Sequence, residues 1–395
     1  MINFNYEEFD MFILDSNNWL NHKPIFYGYK TIDDNGIWLS LDRIGNTLEI
    51  NTSYVPPCYY LYEDASYFAI SNSYYVLYNF LVDKGINLTK QLHYTDEQLK
   101  INNNFKPELY NNNTPVKEIN IVPIDDKLFI DENGLHHKLQ HKEFNTVPVT
   151  KSENIIDDWW NKYKLYFDNL FNSGNRINCE LSGGFDSRLL YGLWRDYIPS
   201  KINMKWHKES DRNKNPYLDG IIGRAILNDR QKERLNLPNL DRVYRDINFN
   251  SLLLFSEGNF ALTKEMQAQL SEKIVVGNLV YEISGSGSNY LRRNNLREVS
   301  FIEGTLRRYF MQRALYNYYA KRCLVIHPFY EYSDLYKIYD YDFDLLLIAY
   351  LKYCPDLLEI PFAHGEIYHV FDKNNAPVTN EAIELINSWK ENNNE

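Results

Sequence analysis

The stretch Arg176-Ile177-Asn178-Cys179-Glu180-Leu181-Ser182-Gly183-Gly184-Phe185-Asp186-Ser187-Arg188-Leu189-Leu190 reads as a strand, a glycine turn and the start of a helix. Its first six residues form a short strand, and helical sequence opens at about Ser187. A strand that ends in Ser-Gly-Gly leaves several backbone N–H groups uncrowded at a helix N-terminus, where the peptide dipoles add positive partial charge. That is a cradle for an anion. Two features narrow the anion to a polyphosphate: Ser182 and Ser187 can donate hydroxyl hydrogen bonds to phosphate oxygens, and Asp186 is a hard oxygen ligand for Mg²⁺ beside them. The bland alternative is an ordinary turn with Ser and Asp as helix caps. A Walker A loop, GxxxxGK[ST], is absent, so a P-loop NTPase is excluded.

Outward from this turn, residues 154–172 carry Ile155, Trp159, Tyr163, Tyr166, Phe167 and Leu170 at helical spacing. Ile202 to Trp206 reads as a second strand, 217–228 as a helix, and Lys273 to Ile283 as a strand entering another glycine turn. Strands alternating with helices imply a parallel α/β sheet with ligands at the carboxyl ends of its strands. Before about residue 150 the texture is different: short apolar alternations separated by turns at Asp34-Asn35-Gly36, Gly45-Asn46, Glu63-Asp64 and Asp131-Glu132-Asn133-Gly134. Tyr59 to Ile70 reads as a hairpin, 75–85 and 94–101 as helices, 102–114 as an Asn-rich loop, and Ile119 to Leu139 as the last strands. The expected organisation is a β-rich domain over 1–150 followed by an α/β domain over 151–395.

The length of 395 residues suits two or three domains without disulfide staples. With 42 Lys+Arg against 53 Asp+Glu the formal net charge is −11, and no long basic run offers a nucleic acid or an anionic membrane its counter-charge. Cys58, Cys179, Cys323 and Cys354 are widely spaced with no CxxC, which argues against a zinc site or a disulfide framework and for a reducing, cytoplasmic setting. The start of the chain lacks the charged and apolar regions of a secretory signal, and the longest apolar run, Leu345 to Leu351, is far short of the ~20 residues of a membrane span. His136, His137 and His141 lack a carboxylate or Cys at ligand spacing and read as solvent-facing.

Ser182-Gly183-Gly184-Phe185-Asp186-Ser187 resembles the pyrophosphate loop, SGGxDS, of the N-type ATP pyrophosphatases. A second segment, Ser284-Gly285-Ser286-Gly287-Ser288-Asn289-Tyr290, is similar to the SGEGSDE pattern of the asparagine synthetase branch, which also contains β-lactam synthetase. Val325-Ile326-His327-Pro328-Phe329-Tyr330-Glu331 resembles that branch's RxPFLDxxLV segment. The Asp42-Arg43 pair followed by Gly45 is similar to its glutaminase, Ntn-hydrolase-like scaffold.

The resemblance implies a doubly wound parallel sheet of the adenine nucleotide alpha hydrolase-like type behind an α+β, Ntn-like domain. It implies a ligase that uses ATP and Mg²⁺ to turn a carboxylate into an acyl-adenylate, releasing pyrophosphate, before an amine attacks to form an amide. Ser182, Gly183, Gly184, Asp186, Ser187, Ser286 and Gly287 would bind the nucleotide, with Arg188 neutralising phosphate and Trp206 lying over the base. Asp186 and Asn289 would hold the metal. The substrates implied are a small molecule or peptide bearing a carboxylate and an amine, as in natural-product or surface-glycan biosynthesis. Partners would be a second copy of the chain or another biosynthetic protein, with neither nucleic acid nor membrane involved.

The sequence departs from the family in three places. Ile2 stands where the glutaminase has its nucleophilic Cys, so glutamine hydrolysis is not expected. Ser286, Asn289 and Tyr290 replace three carboxylates of the second loop, which leaves open a catalytically impaired, nucleotide-binding scaffold. The late catalytic Lys of the family has no match in Pro361 to Glu366; His364 is the candidate acid or base there, with Lys352 and Lys373 as alternatives.

Overall fold

The structure is a computed structural model of the chain and describes residues 12–30, 36–53, 57–90, 114–139, 153–204, 223–236, 280–284, 323–332 and 345–358. The chain divides into two compact units, the first holding the described residues up to Leu139 and the second nearly all those from Glu153 onward.

The first unit is built on two antiparallel sheets. One has the order β1 (Leu14–Asp15), β6 (Phe68–Ser71), β5 (Tyr60–Glu63), β7 (Ile119–Ile121); the other runs β2 (Ile25–Lys30), β3 (Gly36–Ile44), β4 (Thr47–Thr52), β8 (Asp126–Asp131), β9 (Gly134–Leu139). The hairpin expected at Tyr59 to Ile70 is present, with Leu61 opposite Ile70. Leu48, Ile50, Leu128 and Ile130 alternate with more exposed neighbours and are buried, the pattern of a sheet with one face on a core. Helix α1 (Tyr74–Asp83) covers the smaller sheet with Tyr74, Leu77 and Leu81, all fully buried. Each such leucine stabilises by roughly 1.5–3 kcal/mol. The Ser73 side chain caps its start by accepting from Val76 N–H. Gly85, at φ +75°, ends it with the paired bonds Ile86 N–H to Leu81 O and Gly85 N–H to Val82 O.

Asp42 accepts from Ser40 Oγ at 2.6 Å and from Asn51 Nδ2 at 2.8 Å, pinning β3 to β4. Beside it, Arg43 donates to the Trp19, Leu20 and His22 carbonyls. The described histidines keep the solvent-facing reading, with His137 exposed and His136 half-buried, and gain carboxylate partners that the sequence did not show. His137 lies between two carboxylates, Nδ1 at 2.6 Å from Asp126 and Nε2 at 3.0 Å from Glu63, and His136 bonds Asp131 at 2.7 Å. The cause is register: β8 pairs with β9 so that the strand end nears both Asp126 and the neighbouring sheet's Glu63. His141, the helix expected at 94–101 and most of the loop at 102–114 lie outside the described residues.

The second unit opens with α2 (Glu153–Asn172), which leads into β10 (Arg176–Leu181) and α3 (Phe185–Trp194). Ile156 rather than Ile155 takes the buried place on α2, in line with Trp159, Tyr163, Phe167 and Leu170. Strand β11 (Lys201–Met204) follows, then a helical turn at 223–225, α4 (Asp229–Lys232) and β12 (Leu235–Asn236). The sheet is completed by β13 (Val280–Ile283) and β14 (Cys323–Ile326), with the short α5 (Pro328–Glu331) and α6 (Leu345–Tyr353) after them. Its spatial order is β12-β11-β10-β13-β14, and the β10–β11, β10–β13 and β11–β12 pairings are parallel. Numbered as strands one to five of this sheet, that order is 3-2-1-4-5, in which the chain builds out to one side of its first strand and then crosses to the other.

The helices of this unit are locked to one another by aromatic packing. Trp159 stacks on Phe329 and its indole N–H donates to Pro328 O at 2.9 Å; Trp160 lies parallel to Tyr353 at 4.6 Å between ring centres. Tyr191 on α3 donates to Ile226 O at 2.8 Å, and burial pushes its phenol up to about 12. Cys58, Cys179 and Cys354 are all buried and in no disulfide, and burial raises the Cys354 thiol. No described helix is long and apolar enough to cross a membrane.

Candidate functional site

In a doubly wound sheet, ligands bind outside the carboxyl ends of the strands where the strand order reverses. Here that place lies between β10 and β13. Cys179 pairs with Ile283, so β10 runs directly into Ser182-Gly183-Gly184 beside the point where β13 runs into Ser284. Ser284, the first residue of the second glycine-bearing segment and about 100 residues further along the sequence, therefore lies beside the end of β10. Ser284 is buried, and its hydroxyl donates to Glu180 Oε2 at 2.5 Å across the two strands. Its backbone N–H bonds Ile326 O at 3.0 Å, tying the end of β14 to the same edge.

The first turn is rigidly organised. Gly184 is the N-cap of α3, in extended backbone with φ −79° and ψ 177°, and the helix starts at Phe185, two residues before the expected Ser187. The reason is local. Ser187 sits inside the first turn and folds its hydroxyl back, accepting Ser182 N–H at 2.9 Å and lying 2.8 Å from Ser182 Oγ. Ser182 Oγ in turn accepts Gly184 N–H at 3.1 Å. A Cβ built on Gly184 would stand 3.1 Å from Ser182 Oγ, which explains the glycine without invoking a special φ. The helical turn at 223–225 closes in from the next connection, Gly223 approaching Met204 and the backbone carbon of Ser182.

Chemically this is a concentration of hydroxyls and backbone donors at a helix N-terminus, with one partly exposed carboxylate, Asp186, in the helix's first turn. It suits an anion with several oxygens. Mg²⁺ is commonly held by one or two carboxylates together with phosphate oxygens rather than by an all-protein cage, and Asp186 fits that use. No cluster of three His, Cys, Asp or Glu side chains able to hold a metal occurs among the described residues.

The structure also places Arg188 and Lys352. Arg188 is fully buried, donating to Gly183 O at 3.0 Å and Leu357 O at 3.2 Å, so it faces the back of the turn instead of reaching over it. Lys352 lies on the outer side of α6 in an ion pair with Asp157 at 2.8 Å. Trp206, Ser286, Gly287, Asn289, His364 and Lys373 lie outside the described residues. Glu180 and Ser284 were missed as site neighbours. The strand alternation did carry the signal for Glu180, since Ile177, Cys179 and Leu181 take the buried face and leave the carboxylate on the other beside the glycine turn.

Beyond Ile326, two more buried groups follow β14. Glu331 accepts His327 N–H and the Tyr163 hydroxyl, the latter at 3.3 Å, closing the segment that resembled RxPFLDxxLV into a tight turn. No protein-family model matches this chain, and no curated protein matches its sequence.

Proposed function

We propose that the protein is an ATP-dependent, amide-forming ligase that activates a substrate carboxylate as an acyl-adenylate. The observation that carries the reading is the site's address: an SGGxDS turn at the carboxyl end of the first strand of a 3-2-1-4-5 sheet, beside the end of β13 at the reversal of strand order. In this reading Ser182, Gly183, Gly184 and Ser187 receive the triphosphate through N–H and O–H donors, exchanging their mutual hydrogen bonds for phosphate oxygens. Asp186 holds Mg²⁺ jointly with those oxygens; the ion, when bound, neutralises charge as pyrophosphate departs. Ser286 and Gly287 extend the cradle, Asn289 offers the metal a neutral oxygen, Trp206 covers the adenine and His364 handles the amine's proton. Most of the rate would come from holding carboxylate and nucleotide together, then from charge stabilisation on the leaving pyrophosphate. The N-terminal unit is an Ntn-like scaffold without glutaminase chemistry, and the enzyme works in the cytoplasm on a small molecule or peptide supplying both carboxylate and amine.

A second reading is favoured by one specific observation, the neutral Ser286, Asn289 and Tyr290 in the second turn: a nucleotide-binding scaffold that binds ATP and does not turn it over. Both are tested by measuring ATP binding and pyrophosphate release with carboxylate and amine substrate panels, for the wild type and Asp186→Ala. Pyrophosphate release abolished by Asp186→Ala supports the ligase. ATP binding without release supports the scaffold, and absence of ATP binding at millimolar nucleotide refutes both.

A further inference from the structure

The fully buried Arg188 makes its contacts on the inner side of the glycine turn. A cation withdrawn from water loses several kcal/mol of hydration, so an apolar side chain of similar volume would be the cheaper filling for a helix flank. What the guanidinium provides is a planar fork of fixed donors. One branch takes Gly183 O at 3.0 Å and the other Leu357 O at 3.2 Å, in the short 3-10 turn Pro355–Leu358.

The consequence follows from peptide planarity. In a trans peptide the C=O of one residue and the N–H of the next point in opposite directions. With Gly183 O drawn inward to Arg188, the Gly184 N–H is turned the other way, and it lies on Ser182 Oγ at 3.1 Å. Glycines on both sides make this peptide unusually free to rotate, because neither flanking residue has a Cβ to restrict it. A rotated peptide would aim a carbonyl oxygen, partially negative, at the place an anion would take.

We propose that Arg188 is a positioning residue for anion binding: it locks the Gly183–Gly184 peptide with its carbonyl inward, so that the turn presents donors and no acceptor to the triphosphate. This rests on the nucleotide-binding reading of the turn. It also assigns Leu357 a part, since its carbonyl anchors the fork's other branch and links the cradle to the segment after α6.

The test is calorimetric titration of the full chain with Mg²⁺-ATP, and with adenosine as a phosphate-free probe, for the wild type, R188Q and R188K. If loss of the lock leaves about a tenth of molecules with the donor-presenting peptide, apparent ATP affinity falls about tenfold in R188Q. R188K, which keeps the charge and one donor direction, recovers part of that loss. Adenosine binding is unchanged in both, because the lock acts on the phosphates alone. ATP affinity in folded R188Q equal to that of the wild type overturns the inference, as does a parallel loss for adenosine, which marks a general structural role. Failure of both variants to fold overturns it in favour of stability. A wild-type protein that binds no ATP removes the nucleotide reading itself, an outcome distinct from all of these.

Discussion

Ser187→Ala tests the internal bonding of the glycine turn before any ligand is considered. Ser187 is 7% exposed, and its hydroxyl accepts Ser182 N–H at 2.9 Å. Removing it leaves that backbone donor without its partner, a loss of about 1–3 kcal/mol for a buried group. Ser182 Oγ keeps its bond from Gly184 N–H but loses its 2.8 Å contact with Ser187 Oγ, and because the site is only partly buried the lower half of that range applies. Alanine returns roughly 0.5 kcal/mol through its better helix propensity. The net expectation is a destabilisation of about 1 kcal/mol, or roughly 2–4 °C in the unfolding midpoint of a unit this size. Nucleotide-free thermal and urea unfolding followed by tryptophan fluorescence reads it, because Trp159, Trp160 and Trp194 all lie in the second unit. A double-mutant cycle with Ser182→Ala should show coupling of at least about 0.5 kcal/mol, as expected for groups in direct contact. Ser187→Ala as stable as the wild type, with no coupling to Ser182, would refute the account of the turn as a closed hydrogen-bonded unit.

Asp186→Asn should abolish the Mg²⁺-dependent part of ATP affinity while leaving any metal-free binding, read by titrating ATP with and without Mg²⁺; an undiminished Mg²⁺ effect would move the metal to another ligand. His137 gives a pH dependence with a definite sign. Partial burial works to lower it, but its hydrogen bonds to Asp126 and Glu63 prevail and hold its pKa above the ordinary 6.5, so its contribution is complete below about pH 6.5 and fades as pH rises through the elevated value. The unfolding midpoint of the wild type should thus fall relative to His137→Gln between pH 6.5 and 9, and parallel profiles would contradict the pairing. Gly192→Ala should destabilise by about 1–2 kcal/mol, since its Cβ would meet Cys354 Sγ at 3.0 Å and Trp160 at 3.1 Å, with that ring backed by Tyr353; a midpoint above the wild type's would show the contact yields easily. Lys352→Ala should change stability by less than about 1 kcal/mol, as an outer ion pair does, and leave pyrophosphate release intact; loss of turnover would reinstate it as the late lysine.

The features legible in the sequence were those whose causes are local. Strand β10 matched its expected limits, and the hairpin at Tyr60–Ser71 followed from alternation broken by a turn. Helix α3 starts two residues before the expected Ser187, because Ser187 turns its hydroxyl back to Ser182 and Gly184 takes the cap position. What sequence could not show depends on distant pairing. Arg188 sits near a phosphate-type loop in the chain, and only the approach of Leu357 reveals that its side chain points behind it. The carboxylates around His137 come from a neighbouring strand and from the other sheet. Arg195 finds Asp356, and Lys352 finds Asp157, across more than 150 residues.

The 3-2-1-4-5 order has a consequence for how the chain is made. During synthesis β10, β11 and β12 emerge early, while β13, the other neighbour of β10, follows about a hundred residues later. Until then the sheet's central strand, with Ile177, Cys179 and Leu181 on its apolar face, is an edge with unpaired backbone donors and acceptors. Between residues 236 and 280 the nascent chain therefore carries an open strand edge that can pair with another chain until β13 arrives.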